Sequence, residues 1–256
     1  MTEPGAPPAP ALAPTPKNEI FVRWVVGVIL AGCVVGAASG IALAVVFGSY
    51  KIPAGSMWPT LAMGDHVFAN KMVKEAERGA LVVFPLPENR KSTFVKRIVG
   101  MPGDELVITR GELAINGWKA PRCNVGPGWY RDASEPTPDT KHEGMIAVEF
   151  LGKAAYLVFD DQAAPAPDLQ GPYLVKAGEY FVMGDNRRNS HDSRTWFAGA
   201  GGGVPLGDTV GRVHGHDTPE LRNQEGLAGL APALEACLAK RPTDTTPPPP
   251  KSSGAK

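Results

Sequence analysis

Phe94-Val95-Lys96-Arg97-Ile98-Val99-Gly100-Met101-Pro102-Gly103-Asp104 is an aromatic and β-branched run closed by a Pro-Gly-Asp turn. Such a run, bounded by turn residues, reads as a strand. The same pattern recurs at His66-Val67-Phe68, Leu81-Val82-Val83-Phe84, Glu105-Leu106-Val107-Ile108 and Leu113-Ala114-Ile115, then at Ala154-Ala155-Tyr156-Leu157-Val158-Phe159 and Tyr180-Phe181-Val182-Met183. Asn116-Gly117 is a hairpin signal before Trp118. Together these runs predict a mostly β domain.

Working outward toward the N-terminus, residues 25 to 47 contain no charged side chain over 23 positions. At roughly 1.5 Å per residue they would span about 34 Å, against a hydrocarbon core of about 30 Å. Arg23 and Trp24 stand at one end, with Phe47, Tyr50 and Lys51 at the other, as aromatic and cationic anchors do. One membrane-spanning helix is expected. A cleavable signal is the competing reading, with Ala42-Leu43-Ala44 resembling a cleavage site, but the apolar run exceeds the roughly 7 to 15 residues of an h-region. Flanking lysines and arginines do not decide which way the helix points.

The remaining composition mostly excludes. The 256 residues carry 26 basic and 26 acidic side chains, so no basic excess favours nucleic acid. The first 18 residues are rich in Pro and Ala without apolar periodicity, and residues 247 to 256 are low-complexity; both are expected to be disordered tails. The stretch from Pro121 to Glu143, with Pro127-Gly128 and Glu135-Pro136-Thr137-Pro138, reads as a surface loop. Between Pro219 and Lys240, leucines recur at helical spacing, interrupted by Gly226, Gly229 and Pro232. Three cysteines make no disulfide framework: Cys123 and Cys237 could pair in an oxidising compartment, but two free thiols are the plainer reading.

Within nine residues of the apolar run stands Pro53-Ala54-Gly55-Ser56-Met57-Trp58-Pro59-Thr60-Leu61. A Gly-Ser pair between prolines is by itself a turn, and Ser56 needs a base before it means chemistry. Lys96 is the candidate. With an ordinary pKa near 10.4, only on the order of 0.1% of a lysine is neutral at pH 7.4, so burial must push it down. Phe94, Val95, Ile98 and Val99 supply an apolar setting, although a lysine in a strand is ordinarily a solvent-facing residue.

The run from Lys96 to Asp104 resembles the lysine box of bacterial type I signal peptidases, and the Ser56 stretch resembles the same family's serine box. Arg78-Gly79-Ala80-Leu81-Val82-Val83-Phe84 is similar to the strand box between them. Gly184-Asp185-Asn186-Arg187-Arg188-Asn189-Ser190-His191-Asp192-Ser193-Arg194 is similar to the last box. Four boxes in family order, from about Ile52 to Val213, carry the resemblance. It implies an antiparallel β-sheet catalytic domain over residues 49–216, with a more variable insertion over 105–178. Before it come a tail over 1–18 and an anchor helix over 19–48, and after it a short helical segment with a Pro-rich tail over 217–256.

The resemblance further implies that Ser56 is the nucleophile and Lys96 the general base, with Ser190 hydrogen-bonded to the lysine amine. Asp192 and Arg194 would form a supporting ion pair, and Arg97 would brace the same region. Ile52, Ala54, Met57, Leu61, Phe94 and Val95 are the matched candidates for shallow pockets that accept Ala-x-Ala signals; each reads equally well as core packing. Implied partners are signal peptides of secretory preproteins, membrane lipid and, by proximity, the export machinery. The implied place is the bacterial cytoplasmic membrane, with the N-terminus inside and the catalytic domain outside. No cofactor or metal is implied.

Two residues and one run depart from the family pattern. Ala54 stands where many relatives carry a serine whose hydroxyl is the second oxyanion donor, Arg188 stands where aspartate is common, and the run from Trp196 to Pro205 is lengthened by glycines into what should be a flexible loop. Competing readings are a Ser-His-Asp hydrolase using His191 and Asp192, with Asp208 or Asp217 as orienter, a membrane-bound binder of signal segments that does not cut, and another serine-lysine peptidase. No Gly-x-Ser-x-Gly elbow supports the first. His214-x-His216 lacks a third ligand at metal-site spacing.

Overall fold

The computed structural model describes residues 17–132, 140–161, 163–164, 167–216, 219–221 and 224–250. The chain forms two compact units, residues 1–45 and 46–256.

The first unit contains helix α1 (Lys17–Val46). Its described side chains at 24–36 are all exposed, among them Trp24, Val28, Ile29, Leu30, Val34 and Val35. The side chains at 37–39 and 41–44 lie outside the description, and among the described residues no helix is long and apolar enough to cross a membrane. The expected tail over 1–18 falls outside the described residues up to position 16.

The second unit is mainly antiparallel β-sheet. Its strands are β1 (Phe47–Lys51), β2 (His66–Asn70), β3 (Leu81–Leu86), β4 (Asn89–Gly100), β5 (Glu105–Thr109), β6 (Glu112–Ile115) and β7 (Trp118–Lys119). They continue as β8 (Arg122–Arg131), β9 (Lys141–Leu151), β10 (Ala154–Asp160), β11 (Leu169–Leu174), β12 (Glu179–Met183), β13 (Val204–Pro205) and β14 (Gly211–Val213). Helix α2 (Ala231–Ala239) follows. The strands make a seven-stranded sheet, β1-β2-β14-β3-β4-β12-β13, a three-stranded sheet, β10-β9-β8, and a four-stranded sheet, β11-β5-β6-β7. Asn116 and Gly117, both at positive φ, turn β6 into β7 as a two-residue hairpin requires.

Strand β4 organises the large sheet because it is the longest and pairs on both edges, Lys96 opposite Val82 and Arg97 opposite both Leu81 and Met183. Alternation along the strand sends Phe94, Lys96 and Ile98 to one face and Val95, Arg97 and Val99 to the other. Ile98 packs with Val82, Phe84, Tyr180, Val182 and Trp196. Val99 packs with Leu106, Ile115, Tyr156 and Phe181, joining the large sheet to the two smaller ones.

Three expectations are corrected by this second unit. Residues 122–131 form a strand, not a loop: β8 pairs along β9 from Arg122↔Glu149 to Arg131↔Lys141, with a bulge between Asn124 and Gly126 absorbing the Gly-Pro-Gly stretch. The expected loop at 135–138 lies outside the described residues. The C-terminal segment is ordered through Pro250. Thr245 is buried and exchanges two hydrogen bonds with Gly152, and the Pro248 carbonyl accepts from Asn116 Nδ2 at 2.8 Å. Proline's fixed φ and these contacts hold an extended strap where composition alone reads as disorder.

Cys123 and Cys237 are disulfide-bonded, not free. The bond links β8 to α2, whose Leu234 packs with Val125, Ile146 and Phe150 in a core that also holds Trp58 and Tyr130. The bridge closes a loop of 114 residues, for which chain-entropy reasoning gives about 2–5 kcal/mol of stabilisation. Reduction, or Cys237→Ser, is expected to lower the melting temperature of the isolated domain by roughly 5–15 °C, read by calorimetry with and without reductant.

Candidate active site

Ser56 sits in a single 3-10 turn, Gly55–Met57, between the end of β1 and the core residue Trp58. The extended backbone before it is fixed by Ile52, whose N–H donates to the Asp65 carbonyl at 2.8 Å. Met57 and Leu61 fill the core beneath β1–β3, and Trp58 stacks on Tyr130 at 5.1 Å. The turn is gripped from two directions. Gly55 N–H donates to Asp132 Oδ2 at 2.8 Å from the end of β8. Asn186 donates its backbone N–H to the Ser56 carbonyl at 3.2 Å and its side-chain Nδ2 to the Gly55 carbonyl at 3.1 Å.

Lys96 Nζ lies 2.6 Å from Ser56 Oγ, to which it donates. The side chain is 3% exposed, and its ammonium stands 5.3 Å from the centre of the Phe94 ring. Burial pushes the amine down to about 8, against the carboxylates of Asp192 and Asp185, which work to keep it charged. The base position is therefore neutral in roughly one molecule in ten at pH 7, instead of one in several thousand.

The block after β12 supplies the charges around this pair. Arg97 makes a two-point contact with Asp185 (Nε to Oδ1 2.8 Å, Nη2 to Oδ2 2.6 Å), donates to the Gly79 carbonyl, and lies 3.9 Å over the Tyr156 ring. Thr60 Oγ1 donates to the same Asp185 at 2.5 Å, tying the serine segment to β4. Asp192 and Arg194 form a second buried two-point pair, 2.8 Å on each arm. Burial works to raise the Asp192 carboxyl, but Arg194 and the Gly184 N–H hold it below its usual range. Ser190 Oγ is buried without a hydrogen-bond partner of normal geometry, and its electrostatic influence falls on Asp192. The expected hydrogen bond from Ser190 to the lysine amine is thus not formed.

Further out, Glu149 is held at about 2, since Arg187 and Arg122 outweigh its burial; its carboxylate also accepts from Tyr156. Arg188, the departure from the family pattern, pairs with Asp160 at 2.7 Å. The glycine-rich run after Trp196 folds as successive hydrogen-bonded turns, with Gly201 N–H on the Trp196 carbonyl and Gly202 N–H on the Ser193 carbonyl.

A cleft of about 350 Å³ opens on Ser56 and Lys96, lined by the end of β1, the segment through Met57, and residues 93–96 of β4. Ile52, Ala54, Met57, Phe94 and Val95 line it. Leu61 does not: it is fully buried against Ile52, Leu81 and Val213, so its assignment to the pocket is corrected to core. His191 binds Glu88 through Nε2 at 2.8 Å and Thr195 through Nδ1 at 3.0 Å, while Asp208 is engaged by Arg90. No Ser-His-Asp alignment exists among the described residues; Asp217 lies outside them.

Asp132 and Tyr130 were not foreseeable from motifs, and Thr60 lay inside the serine box without a role. Asp132 is 77 residues from Gly55, in a stretch that reads as loop, and nothing local marks it. Asn186 lay inside a recognised block but without a role.

These elements define an antiparallel β protein with a buried lysine set against a serine hydroxyl at the mouth of an apolar cleft. The chain belongs to the signal peptidase, peptidase S26, family, whose model matches residues 21–215. It is 32% identical to a signal peptidase I of Pseudomonas aeruginosa over 163 residues, covering 57% of this chain and 54% of that protein. It is 33% identical to a signal peptidase I of Bacillus licheniformis over 183 residues, covering 70% and 80%. The chain thus spans about half the length of its Pseudomonas relative. A crystal structure of a signal peptidase I from Enterococcus faecalis aligns with 23% identity and a TM-score of 0.30, over 55% of this chain and 97% of that one.

Proposed function

We propose that this protein is a membrane-anchored serine endopeptidase that removes N-terminal signal peptides from exported preproteins after Ala-x-Ala-type motifs. The observation that carries the reading is the 2.6 Å contact between Ser56 Oγ and a buried Lys96 whose amine is pushed down to about 8, in a chain of this family. In the proposed reaction neutral Lys96 accepts the Ser56 proton as Oγ attacks the scissile carbonyl. The tetrahedral intermediate collapses, the C–N bond breaks, and the lysine ammonium protonates the departing amine. Water then attacks the acyl-enzyme, giving its proton to Lys96; the ester C–Oγ bond breaks, the lysine ammonium returns the proton to Ser56 Oγ, and the signal peptide leaves with a free carboxylate.

The two ion pairs, Arg97–Asp185 and Asp192–Arg194, act by fixing β4 and the last block around the base. The apolar cleft favours small side chains on an extended segment added alongside β1 and β4, a mode that reads backbone before side chains. Anchoring is supported by the uncharged run at residues 25 to 47 and by the exposed apolar side chains of α1. The disulfide supports a β domain facing an oxidising compartment; on this reading the Pro-rich N-terminus is cytoplasmic, and membrane lipid and the export machinery are partners of the protein.

Purified full-length protein incubated with a preprotein bearing an Ala-x-Ala signal is expected to release the mature product, and Ser56→Ala to release none. Intact preprotein with the wild-type chain, or equal cleavage by Ser56→Ala, would remove the proposal. Protease protection on membrane vesicles checks the topology: digestion of the first 18 residues from the outer side would reverse it.

A further inference from the structure

The peptide unit that carries the Ser56 N–H has the Gly55 carbonyl at its other end. That oxygen accepts two hydrogen bonds, from Trp58 N at 3.0 Å and from Asn186 Nδ2 at 3.1 Å. Donors on a carbonyl draw charge through the amide and make its own N–H a stronger donor. The Gly55 and Ser56 amides open the 3-10 turn, so neither has an acceptor within it. Asp132 Oδ2 takes the Gly55 N–H at 2.8 Å, from a carboxylate only 4% exposed. Tyr130 and Asp132 press so closely on this glycine that a Cβ there would lie 2.6 Å from the ring and 3.0 Å from the carboxylate.

Resting on the peptidase reading, we propose that Asp132 is a positioning residue for catalysis. It clamps the Gly55 amide so that the polarised Ser56 N–H is held as the oxyanion donor, which matters more in a chain with Ala54 and hence no side-chain hydroxyl at that position. Gly55 has no side chain to brace its own φ and ψ, so the two peptide planes are fixed from outside, one by Asp132 and one by Asn186. The aspartate touches neither substrate nor reacting atoms; it acts through the turn.

The test compares the full-length wild type with Asp132→Ala, Asp132→Asn and Asn186→Ala. Each is measured for kcat and KM on a preprotein and for affinity toward a peptide aldehyde ending in alanine, whose serine adduct places an oxyanion in the site. Removing a true oxyanion donor costs around 100- to 1,000-fold, so loosening one is expected to cost about 10- to 100-fold in kcat. KM should stay within about twofold, and aldehyde affinity should fall in parallel with kcat. Asp132→Asn, whose amide oxygen still accepts the Gly55 N–H, should recover most of the loss. Asn186→Ala removes one donor from the Gly55 carbonyl and leaves Asp132 in place, so it reports on the same peptide even where Asp132→Ala fails to fold. Unchanged kcat in the folded variants, a loss confined to KM, or lowered activity with undiminished aldehyde affinity would each overturn the assignment while leaving the peptidase intact. A wild type that does not cut overturns the peptidase reading itself, and this one with it.

Discussion

Lys96→Ala is expected to lose cleavage by at least about 100- to 10,000-fold across the pH range, while wild-type kcat/KM climbs about tenfold per pH unit up to about pH 8 and levels above it. The sign follows from which form works in the proposed reaction: there the neutral amine is the base, burial disfavours the ammonium, and the folded-state value near 8 marks where half the molecules would be competent. Asp192 and Asp185 oppose burial, which is why the midpoint stays near 8 and does not fall further. Lys96→Arg should not rescue, because a guanidinium keeps its proton throughout this range. Stability shifts in the window above it. The folded lysine gives up its proton near 8 and the unfolded one near 10.5, so between those values the unfolded chain binds more protons and stability rises with pH. Initial rates between pH 5.5 and 9.5 check the first claim. A limb that vanishes in His191→Ala would instead assign the base to histidine.

Gly184→Ala is the second large effect. Gly184 directly follows β12 and its N–H donates to Asp192 at 2.8 Å. A Cβ there would collide with Ser190 Oγ and stand 2.5 Å from both Ser190 Cβ and the Ser56 carbonyl oxygen. The Ser190 Oγ is buried and has little room to retreat, and the Ser56 carbonyl is part of the turn that carries the proposed nucleophile. Overpacking of this kind costs about 1–3 kcal/mol. A displacement near 1 Å at the reacting group costs about 100-fold in rate, so kcat/KM should fall by roughly that factor with a lowered melting temperature. Gly207→Ala, with nothing within 4 Å of the added Cβ, is the control and should behave as wild type. A Gly184→Ala enzyme of undiminished rate would show that the turn does not depend on this contact.

Strands whose burial is local were legible, and those whose stability is long-range were not. The run at Phe94–Val99 was read correctly because aromatic and β-branched residues flank Lys96-Arg97 on both sides, although the strand extends to Asn89 through polar residues that only pairing with β3 makes extended. Strand β8 escaped because Arg122–Arg131 holds Gly126, Pro127 and Gly128, which signal a turn; the partner β9 and the bulge override that signal. Ser56 and Lys96 were identifiable from their boxes, and the structure brings them to hydrogen-bonding distance across 40 residues of sequence. The partners of the serine turn could not be found the same way. Asp132 reaches Gly55 only because β8 crosses beside it, and Asn186 only because β12 pairs with β4. Leu61 went the other way: proximity to the serine in sequence made it a pocket residue, while its side chain points into the core.

The Cys123–Cys237 bridge also imposes an order of events on the chain as it is made. Ser56 and Lys96 leave the ribosome more than a hundred residues before Cys237, so both reactive groups exist well before the bridge can form. Yet Tyr130 belongs to, and Asp132 directly follows, the same strand that the bridge and α2 cover, and both grip the serine turn. Assembly of the reactive centre therefore runs backward relative to synthesis: the last-made helix seals the strand that sets the first-made serine.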